Sequence, residues 1–138
     1  MPASNDTMAR GDEDLLLVED ESFLRLVIAK TLRNLGYRVF EANNGDEALN
    51  AWREHSQTIK VLIADVVLPN SITGIELARL LKKEKRDLKI ILSSGYDSEI
   101  SKCDDLAAEG MKFLSKPFLI NDLCLAIRAC LGQPESAP

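Results

Sequence analysis

Residues 61–69 read Val61-Leu62-Ile63-Ala64-Asp65-Val66-Val67-Leu68-Pro69. An unbroken apolar run before Asp65, with no period-two alternation, predicts a strand buried on both faces. Packing gives no reason for a carboxylate at the end of such a run. Open α/β sheets present their reactive groups at the carboxyl edge of the strands, and Asp65 stands where such a sheet would place one.

On the N-terminal side, Leu15-Leu16-Leu17-Val18 predicts a first buried strand. Leu24, Val27, Ile28, Leu32 and Leu35 then recur at helical spacing, with Ser22 as the expected cap and Gly36 just past the end. Tyr37 to Glu41 alternates as a second strand, and Asn44-Gly45-Asp46 opens a helix carrying Ala48, Leu49 and Trp52. On the C-terminal side, Ile75, Leu77, Ala78 and Leu81 form the apolar face of a helix starting at Gly74. Its basic end (Lys82, Lys83, Lys85, Arg86) suits the negative pole of the helix dipole. Ile90-Ile91-Leu92 predicts a fourth strand, followed by a helix over 98–109 closed by Gly110. Residues 112–115 predict a fifth strand. Leu123, Cys124, Ile127 and Leu131 predict a last helix, capped by Asn121 and stapled by Ile120.

Strand and helix therefore alternate five times. This is the pattern of an α/β domain, a doubly wound five-stranded parallel sheet with five helices. The expected organisation is a flexible tail over 1–13, one domain over 14–132 and a polar tail over 133–138. A chain of 138 residues suffices for one domain with a real core.

Hydrophobic residues make up 46% and charged residues 28%, which is ordinary for a soluble globular protein. A net charge of -5 argues against direct nucleic-acid binding, which needs a basic face. No apolar stretch approaches the roughly 20 residues of a membrane span, and the first residues lack the apolar core of a secretory signal. Cys103, Cys124 and Cys130 form no CxxC pair, which fits a reducing cytoplasm. His55, the single histidine, is read as a surface residue and not as a phosphodonor.

In a parallel sheet all carboxyl ends share one rim. The residues just past the predicted strands are Glu19 and Asp20, then Asp65, Ser94 and Lys116. Three carboxylates, a hydroxyl and an ammonium would converge there. That set suits phosphoryl transfer to a carboxylate. Clustered carboxylates repel one another, and a divalent cation relieves the repulsion. An oxygen-only donor set favours Mg²⁺, with Mn²⁺ as a possible substitute. Asp65 would be the nucleophile, Lys116 a counter-charge for a phosphoryl oxygen and Ser94 a hydroxyl donor.

With LLLVEDE (15–21), VLIADVVLP (61–69), IILSSG (90–95) and FLSKPF (113–118) at these spacings, the chain resembles the receiver domains of two-component response regulators. The resemblance implies a flavodoxin-like sheet of order 2-1-3-4-5, one of the common doubly wound orders. It implies phosphorylation of Asp65, and an Mg²⁺ pocket of Glu19, Asp20, Asp65 and the Val67 backbone carbonyl. It makes Ser94 and Phe113 the switch hydroxyl and switch aromatic, and implies a cis Lys116–Pro117 bond. The implied phosphodonor is a histidine kinase or histidine phosphotransfer protein. The implied output is a protein partner on the face of fourth helix, fifth strand and fifth helix, with no nucleic acid and no membrane. Glu19 stands where the family more often has Asp, and Ser94 where it more often has Thr. The loop 69–74 is one residue longer than the common form. Gly95-Tyr96 resembles both hybrid-kinase receivers and some single-domain regulators, so a stand-alone receiver and a piece of a longer protein both remain open.

Three rivals differ in what they require. A Mg²⁺-dependent phosphohydrolase needs an acid/base carboxylate two residues past the nucleophile, where Val67 stands. A phosphorylation-independent adaptor of the same fold would not need the acidic pair, Asp65, Ser94 and Lys116. A flavodoxin-like nucleotide binder needs a Gly-rich first turn, where Glu19-Asp20-Glu21 would repel phosphate.

Overall fold

The computed structural model describes residues 10–69, 72–95 and 109–132. In chain order these form β1 (Asp14–Val18), α1 (Ser22–Asn34), β2 (Arg38–Ala42), α2 (Gly45–His55), β3 (Ile59–Asp65), α3 (Gly74–Glu84), β4 (Lys89–Ser94), β5 (Met111–Ser115) and α4 (Ile120–Leu131). All strand pairs are parallel, and the sheet order is β2-β1-β3-β4-β5. The expected helix over 98–109 lies outside the described residues except for its last position. Glu109 forms a turn with Gly110.

Alternation along the strands sorts the core into two layers. Leu16, Val18, Leu62, Ala64, Ile90 and Leu92 face Ala48 and Trp52 of α2 and Leu77, Ala78 and Leu81 of α3. Leu15, Leu17, Val61, Ile63 and Ile91 face Ile28, Ala29 and Leu32 of α1 and Leu123, Cys124 and Ile127 of α4. The sheet is covered on both faces, which is why the runs in β3 and β4 are apolar without alternation.

Local chemistry sets the boundaries. Gly36, at φ +108°, ends α1 in the left-handed conformation that favours glycine. Its N–H donates to the Arg33 carbonyl, and the Tyr37 N–H donates to the Leu32 carbonyl, a Schellman closure. Asn44 caps α2 by accepting the Glu47 N–H. Thr73 and Glu76 form a reciprocal capping box on α3.

Two expected caps are corrected. Ser22 lies inside α1, and Glu21 occupies the cap position with no side-chain bond of its own. The Glu19 carboxylate takes the Glu21 N–H instead, at 3.1 Å. Asn121 lies inside the first turn of α4, behind Leu119. The Asp122 carboxylate accepts the Leu119 N–H at 3.3 Å, so the nearer anion takes the place of the amide. His55 is not simply a surface residue, because its ring stacks on Phe40 at 4.0 Å.

At the amino ends of the strands, residues 10–13 are tied to the body. The Gly11 N–H donates to the Leu35 carbonyl. The Arg128 guanidinium reaches the Glu13 carboxylate at 2.8 Å and the Arg10 carbonyl at 3.0 Å. On the same end, the Lys85 ammonium donates to the carbonyls of Ser56, Gln57 and Ile59.

Candidate functional site

β3 carries Asp65 to the carboxyl rim as its final residue. α3 is drawn tightly against it. The Gly74 N–H donates to the Val66 carbonyl at 2.9 Å. A Cβ on Gly74 would collide with the Asp65 carbonyl oxygen, so only glycine allows this approach. β1 ends at Val18, and the Glu19 N–H continues the ladder to the Ala42 carbonyl at 3.0 Å. β4 ends at Ser94, whose carbonyl accepts the Lys116 N–H at 2.8 Å. The sheet thus delivers the ends of β1, β3, β4 and β5 to one place.

Lys116 is the hub. Its Nζ lies 2.7 Å from Asp65 Oδ2 and 3.0 Å from Glu19 Oε1. The other Asp65 oxygen accepts the Val67 N–H at 3.2 Å. Glu19 is buried, Asp65 is half-buried and Asp20 is exposed. One carboxylate oxygen from each lies within 4.8 Å of the others. At an effective dielectric of about 20, unit charges that close repel by roughly 3–4 kcal/mol. One ammonium offsets only part of that.

The acid–base state follows from the surroundings. Burial pushes the Glu19 carboxyl up, the Glu21 N–H and the Lys116 ammonium pull it down, and the net result is raised. Burial pushes the Lys116 ammonium down, but its bonds to Asp65 and Glu19 outweigh this and hold it above the usual lysine value. Lys116 is therefore a fixed positive charge at neutral pH.

A cleft of about 410 Å³ opens over this group, lined by Asp20, Asp65, Val67, Gly95 and Lys116. Its donor set is oxygen only apart from the lysine. Three carboxylates with one exposed member suit a hard divalent cation that keeps some of its water. Ser94 is buried at the end of β4, opposite Ser115. Phe113 is half-buried on β5, opposite Leu92, and packs against the α2–α3 layer. The Lys116–Pro117 peptide bond is cis.

The chain matches the response regulator receiver domain over residues 15–128. The chain belongs to the response regulator receiver family. It is 35% identical over 117 residues to the response regulator receiver protein CpdR of Brucella abortus, covering 85% of this chain and 95% of that protein. It is 35% identical over 125 residues to the sensor kinase CckA of the same organism, covering 91% of this chain but only 13% of that protein. It spans about half the length of several transcriptional regulators that it also matches. Among solved structures, the receiver domain of the hybrid histidine kinase CckA aligns with a TM-score of 0.73 at 34% identity, covering 86% of this chain and 99% of that one. A receiver domain protein from Clostridium thermocellum aligns with a TM-score of 0.78 at 25% identity, over 86% and 94% of the two chains. This receiver has no helix, among the described residues, long and apolar enough to cross a membrane.

Two residues that position the site are not singled out by sequence reasoning. Arg25 donates to the Glu19 carbonyl at 2.8 Å and to Asn43 Oδ1 at 3.3 Å, and pairs with Glu41 at 3.2 Å. It locks the backbone beneath the acidic pair. Its partners lie in separate segments, so no local pattern exposes it. Gly74 reads from sequence only as a helix start. A glycine at the head of a helix, nine residues past the strand-end aspartate, is the available signal.

Proposed function

We propose that Asp65 accepts a phosphoryl group from a histidine kinase or histidine phosphotransfer protein, and that the aspartyl phosphate switches a partner-binding face. The observation that carries this reading is the shared Lys116 ammonium, 2.7 Å from Asp65 and 3.0 Å from Glu19, beside a third carboxylate. In the transfer, an Asp65 oxygen bonds to phosphorus as the phosphorus–nitrogen bond to the donor histidine breaks. The departing imidazole nitrogen keeps the bonding pair. Lys116 holds Asp65 in its aim, 2.7 Å away, and balances charge on a phosphoryl oxygen. Glu19, Asp20, Asp65 and the Val67 carbonyl would hold Mg²⁺, or Mn²⁺ in its place, which supplies neutralisation of the remaining phosphoryl oxygens.

The exposed apolar residues Phe23 and Leu26 of α1 begin three residues beyond Asp20, and a helical phosphodonor could rest on them while reaching Asp65. After transfer the added charge would draw Ser94 toward the phosphoryl group, and Phe113 would turn into the space released. The output face would comprise the helix expected over 98–109, β5 and α4. Its described part holds a groove of about 550 Å³ lined by Phe113, Phe118, Leu125 and Ala129 among others. The acting unit would be residues 14–132, in the cytoplasm. It would catalyse at most its own phosphorylation and dephosphorylation, since the exposed Val67 gives a hydrolase no acid/base group where it needs one.

The test is incubation with acetyl phosphate, with Mg²⁺ or with EDTA, followed by intact mass. Gain of one phosphoryl group in Mg²⁺ alone, absent from Asp65→Asn, is the expected result. Partner binding that ignores Asp65→Asn would favour the phosphorylation-independent adaptor. Sustained turnover of a phosphate ester would favour the hydrolase.

A further inference from the structure

The amino end of the sheet carries a second charged surface, of opposite sign. A groove of about 430 Å³ is lined by Arg79, Lys82, Lys83, Arg86, Glu109 and Met111. Arg79, Lys82 and Lys83 follow helical i, i+3, i+4 spacing on α3, and Arg86 continues the row just past its end. At 1.5 Å per residue this stripe runs for roughly 10 Å. Lys89 opens β4 at the same end of the sheet.

Several of these groups are held in place. Arg79 makes a forked bond to Glu109, at 3.1 and 2.9 Å. Lys82 Nζ donates to the Leu88 carbonyl at 2.8 Å and keeps two further donors. Of the nearby acids, Glu109 is bound to Arg79 and Glu84 to the Trp52 indole N–H at 2.7 Å, while Asp87 beside Arg86 is exposed. The helix dipole accounts for Lys82 and Lys83, in the last turn of α3. It does not account for Arg79 in the middle of the helix or for Arg86 past its end, which line the same groove. In a chain of net charge -5, this concentration of cations requires another reason.

We infer that this groove docks a short acidic segment of a partner protein, with an apolar side chain set between its carboxylates against Met111. A stripe of this length exceeds one phosphate and matches several carboxylates. A nucleic-acid strand would continue past it onto an acidic molecule, which long-range repulsion disfavours. The groove lies at the opposite end of the strands from Asp65, so docking there leaves the phosphoryl site open.

The experiment uses the full chain and fluorescence anisotropy. The probes are a labelled peptide of Glu-Glu-Leu repeats, its Gln-Gln-Leu counterpart and a single-stranded oligonucleotide of similar length. The Glu peptide should bind at low salt and weaken as salt rises, and the Gln peptide should bind at least about tenfold more weakly. Combined Lys83→Glu and Arg86→Glu should cut binding at least about tenfold while acetyl phosphate labelling stays unchanged. Should that variant melt early, amide shifts of the wild type with the Glu peptide decide: changes confined to 79–89 and 109–112 support the inference. Shifts elsewhere, unaltered binding by the variant, no binding at low salt, or tighter binding of the oligonucleotide would overturn it.

Discussion

At the carboxyl end of the sheet one ammonium, Lys116, is shared by Asp65 and Glu19 with Asp20 beside them. At the amino end one guanidinium, Arg128, meets one carboxylate, Glu13, and the Lys85 ammonium meets three neutral carbonyls. Both ends take charge partly out of water. At the amino end no like charges crowd these groups: Arg128 meets Glu13 and the Arg10 carbonyl through its two terminal nitrogens, with only its buried Nε left without a partner, and these contacts hold the fold together. At the carboxyl end the carboxylates outnumber the cation, so the fold bears a repulsion that an incoming divalent cation would relieve. Residual charge imbalance in a cleft marks a site, whereas a matched pair marks a fastening.

The sharpest way to break that contrast is to compare the effects of substitution at the two ends. Asp65→Asn should abolish acetyl phosphate labelling while leaving the fold intact, read by intact mass and thermal melting. Arg128→Ala should do the reverse. It strands Glu13 against a half-buried surface and should cost about 2–3 kcal/mol of stability, less than a fully buried pair because Glu13 remains partly exposed. Denaturant unfolding measures this, and labelling of the folded fraction should be unchanged.

Lys116→Met should fall between them. Without the ammonium, Glu19 and Asp65 face each other uncompensated, and the metal-free protein should lose about 1–2 kcal/mol. Added Mg²⁺ should then raise the melting temperature more in the variant than in the wild type. Equal Mg²⁺ response in both would argue that Lys116 does not balance the acidic cluster.

The smallest effect is a pH dependence at the amino end. Burial pushes the Glu13 carboxyl up, but the Arg128 bond and backbone N–H groups outweigh this and hold it below its ordinary value of 4.5. A depressed carboxyl gives stability that is present above pH 4.5 and lost as pH falls through the folded value. Glu13→Gln should flatten that acid-side loss in melting curves between about pH 5 and 3. Parallel curves for variant and wild type would show that the Arg128 pair contributes no linkage.

Much of this architecture is legible in the amino-acid order. The apolar runs ending at Val18, Ala64 and Leu92 mark strands covered on both faces, and parallel order brings their ends together. That geometry is why residues as distant in sequence as Glu19 and Lys116 can be grouped. What stays hidden depends on partners with no local signature. Arg128 meets Glu13 across 115 positions, and Arg25 draws on Glu41 and Asn43 from the next strand and its loop. Cap assignment fails at Ser22 and Asn121 because neighbouring carboxylates, Glu19 and Asp122, take the orphan N–H groups first.

The central claim is that the unbalanced rim carries a phosphoryl group on Asp65. It is tested most directly by treating the protein with Mg²⁺ and acetyl phosphate, reducing with borohydride and mapping peptides by mass. An acyl phosphate is reduced at the carboxyl carbon, so the account predicts that the peptide containing Asp65 alone carries homoserine, and only when Mg²⁺ was present. Reduction at another carboxylate, or none at all, would contradict it.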